Sequence, residues 1–336
     1  MATFEKDIQL FGLGSALVDV QVKVEDADLE RYGMRKGTMS LVDAQEQHGI
    51  LGKFADLPTF RCSGGATANT LIAFSQFGGR GGFSTLLGND AHGRFYASEF
   101  EELGIELFSD FEDEAHTGTC LVLITPDAER TMHTSLAVNT NFGRDHVADE
   151  AIKRSQWLYI EGYKFAEANG RAAIERAMNT AREHGTRIAL NFSDVFVVEN
   201  FGEELRAAVA QADLVICNEL EGRSYTGLSD DAAVFDRLKQ SARNTALTLG
   251  ERGAMLNIDG REAILDAYKT SPIDSTGAGD MFAAGLFYGL LHDYSLEHAG
   301  RLGACAAAKV IAQLGARLER EEVRDVLQHV DELAAD

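Results

Sequence analysis

Proline is rare in this chain of 336 residues, at 3, and the 4 cysteines are scattered. Cys62, Cys120, Cys217 and Cys305 form no C-x-x-C pair. Neither a zinc knuckle nor a disulfide framework is expected, and a reducing cytoplasm is the simplest compartment. Positive charge is in the minority. Lys plus Arg number 31 and Asp plus Glu 53, a formal net charge of −22. A chain this acidic repels a phosphate backbone, so nucleic acid is not an expected partner, and it has no basic face for anionic lipid. No apolar run reaches the about 18 residues of a transmembrane helix. The opening MATFEKDIQLFGLG has acidic residues and no long apolar stretch behind a basic one, so it does not read as a secretory signal. The 9 histidines contain no H-x-x-x-H pair, which argues against a metal site made of histidines. The P-loop pattern G-x-x-x-x-G-K-S/T is missing throughout.

What is present suits a globular protein, with 45% apolar and 25% charged residues. The length fits two domains, or one large α/β domain with an insertion, around a core that needs no staples. Glycine is abundant, at 33 residues, and it clusters at Gly64, Gly65, Gly78, Gly79, Gly81, Gly82 and Gly88, and again at Gly277, Gly279, Gly285 and Gly289. Such clusters point to backbone packed closely on backbone or ligand. From residue 157 onward, strands and helices alternate. WLYIEG (157–162), IALNF (188–192), LVICN (214–218) and TALTLG (245–250) read as strands, and 169–184, 202–211 and 229–241 as helices. That alternation predicts a parallel sheet covered on both faces, with right-handed crossovers. The N-terminal part differs. IQLFGLG (8–14) reads as a buried strand and VQVKV (20–24) as a half-exposed one. CLVLITP (120–126) and RTMHTSLAV (130–138) straddle a D-A-E turn, a hairpin pattern. Residues 15–62 and 117–140 are thus expected to form a small β lid beside a core of 1–14, 63–116 and 141–336.

The segment Asp274-Ser275-Thr276-Gly277-Ala278-Gly279-Asp280 follows the strand-like AILDAY (263–268), and Phe282, Leu286 and Leu290 after it repeat at helical spacing. A turn of small residues therefore opens a helix. Free N–H groups and the positive end of the helix dipole bind anions there, phosphate above all. Asp280, just inside the helix, has two readings. It accepts a proton from a hydroxyl attacking a phosphoryl group, or it merely complements the dipole. Ser63-Gly64-Gly65-Ala66-Thr67-Ala68-Asn69 is a second glycine turn before a helix. It either admits a polar ligand, with Asn69 as donor and acceptor, or packs a loop into a helix. Gly12-Leu13-Gly14-Ser15-Ala16-Leu17-Val18-Asp19 begins like the dinucleotide fingerprint, but Leu17 stands where the last glycine is required. A dinucleotide oxidoreductase is therefore disfavoured. Asp19 either chelates the hydroxyls of a polyol or is an ordinary turn residue. Asn218-Glu219-Leu220-Glu221 is expected at a strand's carboxyl end, as a ligand contact or as a helix cap. Thr248-Leu249-Gly250-Glu251-Arg252-Gly253 joins two strands, as a nucleotide-contacting loop or a plain hairpin.

Together these motifs resemble the ribokinase-like (PfkB) family of carbohydrate and nucleoside kinases. The order is GLGSALVD, SGGATAN, LLGNDAHG (86–93), TGTC (117–120), PDAERT (126–131), NELE, TLGERG and DSTGAGD. The resemblance spans nearly the whole chain. It is closest to the adenosine-kinase branch, on GLGSALVDV, TGTCLVLITPDAERTM, LYIEGY, IALNFSD and AAAKVIAQLGARL. It implies a ribokinase-like α/β fold with a small β-sheet lid, the use of ATP and Mg²⁺, and transfer of the γ-phosphoryl group to a primary hydroxyl. It implies Asp280 as the catalytic base, and the amides of Gly277, Ala278 and Gly279 as the hole for the transferring phosphate. Arg130 would reach the phosphates from the lid hairpin. Ser15, Leu17, Asp19, Gly64, Gly65 and Asn69 would surround the acceptor, with Leu17 and Tyr163 packing on a purine. Ser15 stands where many members have Asn. Asn218 and Glu221 would order Mg²⁺ through its waters. Thr248, Gly250, Gly253 and Thr276, with Gly277 and Gly279, would line the nucleotide. The resemblance leaves room for a monovalent cation, and for a monomer or a homodimer. The implied acceptor is adenosine. A sugar or sugar acid is the alternative, because Glu161 and Lys164 flank Tyr163. A non-catalytic nucleotide-binding module is a third reading, against which the intact Asp280 argues.

Overall fold

Two sheets arise from these segments in the computed structural model, which describes residues 5–127 and 129–335. Ala128 of the D-A-E turn and residues 1–4 of the opening segment lie outside the described residues. The strands are β1 (Ile8–Leu13), β2 (Leu17–Lys23), β3 (Met39–Leu41), β4 (Thr59–Gly64), β5 (Gly81–Gly88), β6 (Glu106–Glu112) and β7 (Gly118–Ile124). They continue with β8 (Arg130–Ser135), β9 (Ser155–Glu161), β10 (Arg187–Asn191), β11 (Leu214–Asn218), β12 (Thr245–Thr248), β13 (Ala254–Ile258) and β14 (Arg261–Leu265).

The larger sheet has the order β14-β13-β12-β11-β10-β9-β1-β5-β6. Every neighbouring pair from β6 across to β12 is parallel, and β13 and β14 add an antiparallel edge. Central parallel strands must be apolar on both sides, and β1 and β5 are buried along their whole length. Side chains alternate between two cores. Trp157 and Tyr159 of β9 face one, while Leu158 and Ile160 face the other. Helix Ala168–Glu183 covers the second core with Ala173, Ile174, Ala177, Met178 and Ala181, the spacing of one helical face. Helices Ala278–Leu291 and Leu296–Val310 cover the first, where Phe287 meets Trp157 and Tyr159 edge-on.

The smaller sheet has the order β3-β8-β7-β2-β4. β7 and β8 form the expected hairpin, with Ile124 opposite Arg130. In β2, Val18, Val20 and Val22 are buried while Leu17, Asp19 and Gln21 are half-buried. Register sets Cys62, Asp19, Cys120 and Thr134 side by side on β4, β2, β7 and β8. Residues paired in this way share one face of a sheet. The four cysteines are free thiols.

The chain thus adopts the expected fold class, an α/β fold with a mostly parallel sheet flanked by helices and a small second sheet. Among the short helices not anticipated are Asp26–Arg31, Ala44–Gly52, Asp149–Lys153 and Val195–Asn200. The first two bury one residue each, Leu29 and Ile50, too little to produce a readable period. Among the described residues no helix is long and apolar enough to cross a membrane. Chain order reverses at β1, which has β5 on one side and β9 on the other. Open α/β sheets bind ligands at the carboxyl ends of strands beside such a point. Gly14–Leu17 and Glu161–Tyr163 occupy those ends.

Candidate active site

The turn before helix Ala278–Leu291 is built by one carboxylate. Asp274 Oδ1 accepts from the Thr276 backbone N–H at 2.9 Å and from the Thr276 hydroxyl at 2.6 Å. Its Oδ2 accepts from Gly315 N–H at 2.9 Å and from Arg130 Nη1 at 2.6 Å. Burial pushes the Asp274 carboxyl up, but these bonds and the Arg130 charge outweigh it and hold it below its ordinary value. Gly277 is the N-cap, at φ +80°, and makes no side-chain cap. A Cβ there would also press on Ala316 at 2.5 Å from its carbonyl oxygen. Gly277 is glycine for both reasons. Gly279 is different, because a Cβ there would meet nothing within 4 Å. No protein contact demands that glycine, so the open space above its backbone is a natural seat for an anion. Ala278 N–H donates to Ser275 O at 3.3 Å, so this amide of the expected hole is partly engaged in the turn. The Thr276 hydroxyl is likewise taken by Asp274.

Asp280 lies in the first turn of the helix, where it is half-buried. Its Oδ2 accepts from Asn69 Nδ2 at 3.0 Å. Burial, with Glu161 adding to it and the Asn69 bond opposing, pushes the Asp280 carboxyl up to about 7. That is a suitable value for a base at neutral pH. Asn69 lies in helix Ala66–Gln76, opened by Gly65 at φ +104°. A Cβ on Gly65 would collide with the Ser15 carbonyl, so this glycine lets the β1–β2 connection sit against the helix start. Asp19 covers Gly64, where a Cβ would come within 2.7 Å of its Oδ1. Burial raises the Asp19 carboxyl to about 6, against the opposing charges of Arg130 and Arg317. Leu17 sits half-buried opposite Gly64 and Gly118. Gly14 packs against Thr67 and Glu161, which gives this motif a packing role.

Further along the carboxyl edge, Asn218 and Glu221 form a capping box at the end of β11. Asn218 N–H and Nδ2 donate to Glu221 at 2.9 and 2.7 Å, and Glu221 N–H donates to Asn218 Oδ1 at 2.9 Å. Burial, aided by Asp194 and opposed by the Asn218 amide, pushes the Glu221 carboxyl up to about 7. Thr248 ends β12 beside them. Gly250 lies at φ +59° with open space around it, whereas a Cβ on Gly253 would collide with the Leu265 carbonyl. Gly253 therefore serves the hairpin. Tyr163, 37% exposed, places its hydroxyl 3.4 Å from Asp194. Burial raises its phenol, and Asp194, Glu161, Glu221 and Asp280 add to that. Tyr163 thus stands between the Asp280 end and the Glu221 end.

The structure therefore brings Asp280 to Asn69, Asp19 to Gly64, and Arg130 to the glycine turn. Arg130 is 7% exposed and paired with Asp274, with its Nε buried and without a partner. Lys164 is fully buried, donating to Asn139 O at 2.9 Å and Glu167 at 2.5 Å. Glu161 is also buried and accepts from Thr67 N–H at 3.2 Å. The charges flanking Tyr163 are thus engaged inside the protein. Sequence reasoning missed Asn139, whose amide clasps Ala16 N–H and C=O at 2.9 and 2.7 Å. It also missed Arg317, which donates to Asn69 and Glu99. Neither residue sits in a motif with a readable chemistry.

Comparison with known proteins places the chain among small-molecule kinases. An adenosine kinase of Saccharomyces cerevisiae is 25% identical over 332 residues, covering 93% of this chain and 97% of the relative. The crystal structure of adenosine kinase from Sinorhizobium meliloti superposes with a TM-score of 0.86 at 27% identity, covering 96% of this chain and 99% of that one. A probable sugar kinase from Rhizobium etli also superposes with a TM-score of 0.86, at 26% identity and the same coverage of 96% and 99%. The model of the pfkB carbohydrate kinases matches residues 43–322. On that match the chain belongs to the pfkB family of carbohydrate kinases, phosphotransferases that act on hydroxyl groups.

Proposed function

We propose that the protein is an ATP-dependent kinase whose acceptor is the 5′-hydroxyl of adenosine. The observation that carries the reading is Asp280, a raised carboxyl held by Asn69 at the mouth of an uncapped helix start. ATP supplies the γ-phosphoryl group, and Mg²⁺ neutralises charge on its phosphates. The backbone at Gly277 and Gly279 holds the transferring anion, with Arg130 adding positive charge beside it. Asp280 takes the proton of the acceptor hydroxyl. Asp19 and Asn69 hold the sugar hydroxyls. Both Glu221 oxygens already accept from Asn218, which suits the pair to orienting metal-bound waters. Among the described residues no group of three or more His, Cys, Asp or Glu is arranged to hold a metal directly. Thr248 and Gly250 lie beside the nucleotide. Residues 15–62 and 117–140 act as a lid over the core of 1–14, 63–116 and 141–336, keeping water from the reaction.

Adenosine is favoured by the near end-to-end match to the yeast adenosine kinase. It is also favoured by Tyr163, an aromatic surface left 37% exposed beside the site. Lys164 is buried, so it offers no charge to a sugar acid. A sugar acceptor is the second reading, supported by the likeness to the Rhizobium etli protein. The test is ADP release from ATP and Mg²⁺ with adenosine, inosine, guanosine, ribose, fructose and 2-keto-3-deoxygluconate at matched concentrations. The reading expects a clear preference for adenosine. Turnover confined to a free sugar would overturn the acceptor while leaving Asp280 its role.

A further inference from the structure

Arg317 lies in the segment after helix Leu296–Val310, which packs against the glycine turn through Ala316 and Gly315. Its side chain is 16% exposed. Nε lies 3.4 Å from Asn69 Oδ1, and Nη1 lies 3.2 Å from Glu99 Oε1. The other Glu99 oxygen accepts from Ser63 N–H at 2.8 Å. A row of bonds therefore runs from the glycine turn at Ser63 through Glu99, Arg317 and Asn69 to Asp280.

The chemistry of that row has one direction. A guanidinium only donates, so the Asn69 amide must present its oxygen to Arg317. Its NH₂ group then faces Asp280. Without Arg317 the amide is free to turn over and accept from the protonated Asp280 carboxyl instead, which favours the neutral form. We propose that Arg317 is a positioning residue for the base, fixing the Asn69 amide so that its N–H group holds the Asp280 carboxylate. This rests on the reading of Asp280 as the base.

The proposal has a pH signature. The groups that face Asp280 are Asn69, Glu161, Tyr159 and Tyr163, and of these only the Asn69 bond favours the charged form. Arg317 itself faces Asp19, Cys62, Tyr96 and Glu99. Losing the Asn69 bond raises the Asp280 pKa, so the base is protonated over more of the neutral range.

The experiment is the pH profile of kcat/KM for acceptor phosphorylation in wild type, Arg317→Met, Arg317→Lys and Glu99→Gln. Arg317→Met should move the acid limb upward, so that a loss of about tenfold at pH 7 nearly disappears by pH 9. Arg317→Lys, which keeps a donor, should fall between the two. Glu99→Gln, which loosens the Arg317 anchor, should shift the limb in the same direction by less, and it stands in if Arg317→Met does not fold. An unchanged limb, or a loss equal at every pH, overturns the proposal. Asp280→Asn separates the two claims. Retained turnover in that variant overturns the base assignment, whereas an inactive Asp280→Asn beside an unshifted Arg317→Met limb overturns only the role of Arg317.

Discussion

Asp280 is held in a site that disfavours its charge, and that has consequences for both rate and stability. Its carboxyl is pushed up to about 7, so kcat/KM should rise with pH through an acid limb near that value. A pH–rate profile from 5 to 9 checks this. A flat profile across pH 7 would contradict it. The stability consequence has a definite sign. The folded pKa lies above the unfolded one, so protonated Asp280 favours the folded state. That contribution is full below about pH 4 and is lost as pH rises through about 7. Asp280→Asn should therefore melt a few degrees above wild type at pH 8, with the gain shrinking toward pH 4. Thermal melts at several pH values would show it. A variant less stable than wild type at pH 8 would mean that the carboxylate is better solvated than its surroundings indicate.

At the scale of elements, the two glycines of the helix start have different surroundings. Gly277 is required by its positive φ and by Ala316, so Gly277→Ala should lower stability by at least about 1–3 kcal/mol. A Cβ on Gly279 would meet nothing within 4 Å, and alanine is the better helix former. Gly279→Ala should keep or raise the melting temperature, yet lose at least about tenfold in turnover by filling the anion seat. Equal turnover in Gly279→Ala and wild type would remove the anion from that seat. Elements of this kind were legible in the sequence because their signals are local. The glycine turn, the apolar runs of β1, β9, β10 and β11, and the face of Ala168–Glu183 are each written within about a dozen residues. The helix Ala44–Gly52 was not legible, because it buries only Ile50 and so carries no apolar stripe.

At the scale of the whole molecule, the buried pair Arg130–Asp274 joins the small sheet to the glycine turn across 144 residues of chain. Removing one partner of such a pair leaves a buried charge alone. Asp274→Asn should cost about 3–5 kcal/mol in urea unfolding, and the double variant with Arg130→Met should cost less than the sum of the singles. Strict additivity would show that the two groups do not sense each other. The same distance explains what the sequence could not reveal. Asp274 stood inside the most recognisable motif, yet its partner lies in β8. Arg317 and Asn69 meet over a separation of 248 residues, and the stretch AAAKVIAQLGARL around Arg317 carries a resemblance but no chemistry that names its partner. Periodicity and motif spacing report local geometry only, so side chains that meet through tertiary packing stay silent until the fold is known.

The most direct measurement compares ADP release from ATP and Mg²⁺, with adenosine as acceptor, in wild type and Asp280→Asn at pH 7.5. Adenosine-dependent turnover in wild type, falling by about 10²–10⁴-fold in the variant, is the predicted result. Equal turnover in the two proteins would contradict the account at its centre, because the carboxylate held by Asn69 would then not be the base.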